Sequence, residues 1–137
     1  MKIKIIDRKH YFISVDKVKN RVYYFLTTEK WELEDADTLL SDWKEVLTHV
    51  LDNFTILSDI RNLMIQSRKL EAKHEEAQKY VAENGLLKLA RVLSKDDIVN
   101  LQFSRITQRS EIPNDVFDNS EDAEKYLDQI VQSFQTK

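Results

Sequence analysis

Phe54-Thr55-Ile56-Leu57-Ser58-Asp59-Ile60 is the stretch whose reading decides the fold. It is short, mostly apolar and poor in alternation. A strand with one wet face alternates apolar and polar side chains, whereas a strand covered on both faces is apolar nearly throughout. The stretch therefore predicts a central strand ending at Asp59. On its N-terminal side the period is different. Leu39, Leu40, Trp43, Val46, Leu47, Val50 and Leu51 fall on one face of a helix, with Asp35 and Asp37 ahead of it as cap and first-turn acids. On its C-terminal side comes a loop carrying Arg61, Asn62 and Arg68, then a second helix from about Leu70 to Asn84. Asn84-Gly85 is a helix stop, because glycine enters the left-handed region cheaply.

Further out, Tyr11-Phe12-Ile13-Ser14-Val15 and Arg21-Val22-Tyr23-Tyr24-Phe25-Leu26 are rich in aromatic and β-branched residues and joined by a link of hairpin length. They predict antiparallel strands, to which Ile3–Ile6 adds another. Toward the other end, Leu87–Leu93 reads as a strand, Ser94 with Asp97 as a capping box for a helix from about Asp96 to Arg109, and Val116-Phe117 as a brief strand. Asn119 or Ser120 caps a last helix, with Ala123, Leu127, Ile130, Val131 and Phe134 on its apolar face. The order β-β-β-α-β-α-β-α-β-α predicts an α/β fold. Its mixed sheet has N-terminal antiparallel strands followed by βα units, about four helices pack against it, and residues 1–137 form a single domain.

Composition removes whole classes of chemistry. The chain has one Gly, one Pro and no Cys. Glycine-rich phosphate loops, dinucleotide fingerprints, nucleophile elbows, disulfides and thiolate metal sites are all excluded. Charged residues make up 33% of the chain and nearly cancel, at a net charge of -3. With a pI near 5.6 there is no general pull toward nucleic acid or anionic lipid. The N-terminal residues are charged every second or third position, and no apolar run approaches the ~20 residues of a membrane helix. The expectation is a cytoplasmic chain that is not membrane-embedded and binds no nucleic acid.

Three groups of residues stand out. Asp59 lies where a buried strand ends, the place where open α/β sheets bind ligands; the same position suits an Asp that caps the turn and pairs with a nearby Arg. Glu71-x-x-His74 puts two metal-ligand types on one helix face, but a carboxylate-bridged metal site needs a second such motif. No metal is expected, and His74, near the face holding Leu70 and Ala77, reads as a partly buried, hydrogen-bonded histidine. Arg61, Arg68, Lys69 and Lys73 gather beyond the Asp59 strand, where a helix N-terminus and arginine hold anions; interleaved Glu71, Glu75 and Glu76 fit a solvated helix end equally. None of the serines has a histidine at a telling spacing, so no catalytic residue is assigned. The aromatics read as core.

Three segments together carry a family resemblance: FTILSDIRNL (Phe54–Leu63), HEEAQKYVAENGLLKLARVL (His74–Leu93) and IPNDVFDNSEDAEKYL (Ile112–Leu127). In sequence and order they resemble the SpoIIAA-like branch of the STAS superfamily, which is related to the CRAL-TRIO-like fold. The resemblance implies a non-enzymatic, regulatory protein-interaction module of bacterial signalling without a cofactor. It implies Asp59 as the strand-end acid and Ser67 as the counterpart of a phosphorylated serine, although Ser67 lacks the family's preceding Asp and following Gly. The expected surface comprises Asp59, Arg61, Asn62, Ser67, Arg68, Lys73 and His74, facing a protein partner. The alternative is a small-molecule or lipid-binding domain, taking a small hydrophobic or anionic ligand at the C-terminal ends of the strands. A flat, mixed-charge surface favours the first and an apolar-walled cavity of ~300 Å³ or more the second. An exposed N-terminal edge is compatible with a homodimer.

Overall fold

In a computed structural model, which describes residues 1–136, the chain forms one six-stranded sheet with four α-helices. The strands are β1 (Lys2–Asp7), β2 (Tyr11–Asp16), β3 (Arg21–Leu26), β4 (Phe54–Asp59), β5 (Leu86–Val92) and β6 (Asn114–Phe117). The helices are α1 (Leu39–Leu47), α2 (Arg68–Glu83), α3 (Asp97–Ser110) and α4 (Ser120–Gln135), with a single 3₁₀ turn at Leu33–Ala36. The expected order and the expected antiparallel-then-parallel sheet are both present. β1–β2 and β2–β3 pair antiparallel, and β3–β4, β4–β5 and β5–β6 pair parallel. β4 is buried along its whole length, as its lack of alternation requires.

The strands lie side by side in sequence order. Because the β3–β4, β4–β5 and β5–β6 crossovers share one hand, their helices return on the same side. α1 packs on α2 and α2 on α3, over a core that includes Tyr24, Trp43, Ile56, Val81, Phe103 and Ile106. The other side holds a smaller cluster, Leu57, Ala90, Val92, Ala123 and Leu127, under α4. α4 lies on β4, β5 and β6. Among the described residues, no helix covers the same side of β1, β2 and half of β3.

Several ends differ from the sequence expectation, each for a local reason. α1 stops at Leu47, where the Thr48 N–H turns back to the Glu45 and Val46 carbonyls, leaving Leu51 exposed although it continues the apolar period. Asp35 caps the 3₁₀ turn, accepting from the Glu32 N–H at 2.7 Å. α3 is capped by Asp96, whose Oδ1 accepts from the Ile98 N–H. Ser94 holds that cap in place by accepting from the Asp96 N–H. Asn119 caps α4 as expected. Along α4 only Ala123 and Leu127 are buried. A 16-residue helix is ~24 Å long, so its C-terminal half outruns the short β6, and Phe134 is exposed.

The Asn84-Gly85 stop is met in detail. Gly85 has φ +103°, and a Cβ there would lie 2.7 Å from Asp52 Oδ1. Its carbonyl also accepts from the Asn53 N–H at 2.7 Å, tying the α2–β5 turn to the start of β4. Gly85→Ala is expected to destabilise the protein by about 1–3 kcal/mol. The measurement is a lower urea midpoint at unchanged m-value.

Candidate functional site

Asp59 ends β4 with its carboxylate turned into the following loop. Its Oδ1 accepts from the Arg61 backbone N–H at 3.0 Å, Arg61 Nε donates to both carboxylate oxygens at 3.1 Å, and Nη2 donates to Oδ2 at 2.7 Å. This is the turn-capping reading of Asp59, and it keeps the Arg61 guanidinium firmly charged. From there the loop alternates. Asn62, Met64 and Ile65 are exposed, while Leu63 and Gln66 are buried.

Gln66 is what pins this loop. Its N–H donates to Gln102 Oε1 at 3.0 Å, and Gln102 Nε2 donates both to the Gln66 carbonyl and to Glu71 Oε2. Arg105 closes the set with an ion pair to Glu71 at 3.1 Å. The sequence held a sign of it in Gln102, a polar residue between Val99 and Phe103 on the apolar face of α3. His74 joins from α2, with Nε2 3.1 Å from Gln66 Oε1. Its ring sits between Trp31 and Phe103, at centroid distances of 5.0 and 5.2 Å. At 3% exposure, His74 is an interior strut and not part of a binding surface, in line with the histidine reading of its helix face.

The other expected site residues divide. Ser67 is the exposed N-cap of α2, its Oγ accepting from the Leu70 N–H at 3.2 Å. Arg68 is exposed on the first turn of that helix and Lys73 is half-buried a turn later. Asp59, Arg61 and Asn62 come together at the carboxyl end of β4. Beside them, a cleft of about 440 Å³ opens between the ends of β3, β4 and β5, lined by Lys30, Arg61, Leu63, Met64, Ile65 and Lys95 among others.

A second and larger concavity was not legible in the sequence. On the side of the sheet that carries α4, a trough of about 550 Å³ runs between the bare strands and that helix. Phe12, Tyr23, Phe25 and Leu57 form its apolar surface, Lys2 lies on one flank, and Glu124 and Lys125 of α4 lie on the other. Arg61 borders both concavities. Glu124 is fixed by donors. Tyr23 Oη and Arg21 Nη1 each donate to it at 2.5 Å, and Arg21 also reaches Asp128 at 2.8 Å and Thr55 at 2.8 Å. Burial pushes the Glu124 carboxyl up, but the bonds from Tyr23 and Arg21 outweigh it and hold the group below the usual carboxylate range.

The helix-covered side has one buried cation without a counterion. Arg91 on β5 is 3% exposed, and its Nε and Nη1 meet no partner among the described residues. Burial pulls its pKa down to about 10. No group of three or more potential metal ligands occurs among the described residues, and no helix there is long and apolar enough to cross a membrane. Comparison with family models, with curated proteins and with solved structures finds no match to this chain.

Two measurements test these interior groups. His74 titrates at about 4 in the fold, against 6.5 when free, because burial disfavours the imidazolium. Protons therefore favour the unfolded chain. The stability held by neutral His74 is complete above pH 6.5 and is lost as pH falls toward 4, a swing of about 3 kcal/mol. In His74→Leu, thermal melts across that window should lose this part of the slope. Arg91→Met should raise stability by about 1–2 kcal/mol in chemical denaturation, since a buried ion without compensation is worse than an apolar side chain of similar length. A lower midpoint would show that the guanidinium is satisfied.

Proposed function

We propose that the chain is a non-enzymatic, STAS-like regulatory module acting in the cytoplasm, which docks a partner protein on the rim that follows β4. The observation that carries this reading is a group of exposed apolar side chains at that rim. Met64 and Ile65 project from the loop, and Ile98 and Leu101, one turn apart, from the outer face of α3. The Gln66–Gln102 bonds hold the two segments together. Apolar side chains gathered on a surface mark interaction sites more often than scattered ones do. The rim was expected from the position of Asp59, and the resemblance to SpoIIAA-like domains implies the same kind of role.

Charge says what sort of partner suits it. Lys30, Arg61 and Lys95 line the adjoining cleft together with the acid Asp96, which accepts from the Ile98 N–H, and Arg61 is occupied by Asp59. Among the described residues, Lys30 and Lys95 have no carboxylate within 4.0 Å. An apolar partner surface edged with acids is complementary to this rim. The rim is preorganised, because Gln66 and Asp59 already fix its backbone, and binding need not order it. Ser67 sits at the same edge as an exposed helix cap. A phosphoryl group there would add negative charge beside a basic rim and change the surface the partner meets.

Ile65→Asp combined with Leu101→Asp leaves the core untouched, so the fold should melt within a few degrees of the parent. Crosslinking through lysine in the cells that make the protein should yield a partner joined to Lys30 or Lys95, and that product should disappear in the double variant. If it persists undiminished, the rim is not the docking surface.

A further inference from the structure

We infer that the trough on the α4 side of the sheet is a separate binding site, for a small organic anion with a flat aromatic body. Phe12 and Phe25 are cross-strand neighbours whose rings stack at 4.8 Å with 19° between planes. Lys4 Nζ lies 4.5 Å from the centroid of Phe12. The row thus runs from ammonium to Phe12 to Phe25. No further ring or cation stacks on Phe25 among the described residues. A planar ring entering the trough extends this stack toward β4, where Asp59, already paired with Arg61, is the cross-strand neighbour of Phe25 and Leu57 is that of Tyr23. Offset stacking at such a distance is favourable beyond the area it covers.

The charges select an anion. Among the acids that line the trough, Asp59 is taken by Arg61 and Glu124 by Arg21 and Tyr23. Glu121 is the one left without a cation within 4.0 Å among the described residues. Against it stand Lys2 and Lys125, neither with a carboxylate within that distance. Lys2 instead rests over the Tyr23 ring, 3.9 Å from its centroid. An exposed ammonium–ring contact is weak and readily given up, whereas a charge-assisted hydrogen bond to a carboxylate or phosphate is stronger. Lys2 is thus available to turn from the Tyr23 ring to a bound anion, and among the described residues Lys125 has no ion pair to give up. The volume of about 550 Å³ is in the range of small-molecule sites. The trough is also built before any ligand arrives: Arg21 fixes α4 as one wall, and the β2–β3 register fixes the rings as the other.

The site is independent of the rim, so it can fail without affecting the docking proposal. The test is an amide-resolved NMR titration of the full chain with naphthalene-2-carboxylate, run beside its neutral amide. The carboxylate should shift amides of β2, β3, the end of β4 and the first turns of α4. The amide should bind about tenfold more weakly, the change expected for one charge-assisted bond. Lys2→Gln with Lys125→Gln, both at exposed positions, should weaken the carboxylate by a similar factor and leave the amide unchanged. Phe25→Leu, which keeps apolar bulk and removes the stacking face, should weaken both probes. Equal affinity for acid and amide, shifts clustered at Met64 and Ile65, or no shifts at millimolar probe would each overturn the inference. So would a dimer in native mass spectrometry whose formation excludes the probe.

Discussion

A sheet whose strands lie in chain order sends every crossover helix to the same side. With β3 to β6 parallel and consecutive, α1, α2 and α3 have no choice of face. On the far side of the sheet, among the described residues, α4 is the helix that follows β6. One helix is about 10 Å wide and strands are ~4.8 Å apart, so it shields two or three strands and no more. α4 covers β4 to β6, and Phe12, Tyr23 and Phe25, on the same side of β2 and β3, stay half-exposed. The trough is therefore a consequence of connectivity, and its composition is what the sequence was free to choose.

How α4 is held shows the same economy of contact. Its apolar grip is small, essentially Ala123 and Leu127 on Leu57, Ala90 and Val92. What fixes its position across the sheet is Arg21, 1% exposed, reaching from β3 to Thr55, Glu124 and Asp128. A buried ion pair adds little net stability over a good apolar contact, but it is far more demanding of geometry. Arg21 thus sets where α4 stands, and with it the width of the trough. Arg91 on the opposite side is the contrast, a buried guanidinium whose Nε and Nη1 meet no partner among the described residues.

Much of the fold was legible because hydrophobic period reports burial. The unbroken apolar run of β4 marked the centre of the sheet, and the helices showed their stripes. Where the reading slipped, the apolar pattern ran past the backbone. Leu51 keeps the period of α1 after the helix has turned, and Phe134 keeps that of α4 but is exposed. Capping in α3 slipped for another reason, since Ser94, Asp96 and Asp97 are all capable caps and only backbone geometry chooses among them. The rim around Asp59 and Arg61 was legible because strand ends are where loops gather. The trough was not. In Tyr11–Val15 and Arg21–Leu26 both faces carry aromatic side chains, so period alone cannot tell a covered face from a bare one. Of the Gln66–Gln102–Glu71 set the sequence showed only Gln102 on an apolar face, because its members meet across elements.

Asp59 ties these surfaces together in a way that a turn cap alone would not require. A backbone N–H would suffice to cap the turn, yet the carboxylate also grips the guanidinium of Arg61 from Nε and Nη2. Arg61 borders the rim cleft on one side and the trough on the other. Held by its acid, it forms a fixed wall with little charge left to offer, and each concavity then takes its electrostatic character from its own lysines: Lys30 and Lys95 in the cleft, Lys2 and Lys125 in the trough. An unpaired arginine at this spot would be shared by both, and an anion in either would draw it away from the other. The Asp59–Arg61 pair removes that competition, so the two proposed surfaces, though they meet at one residue, do not depend on each other.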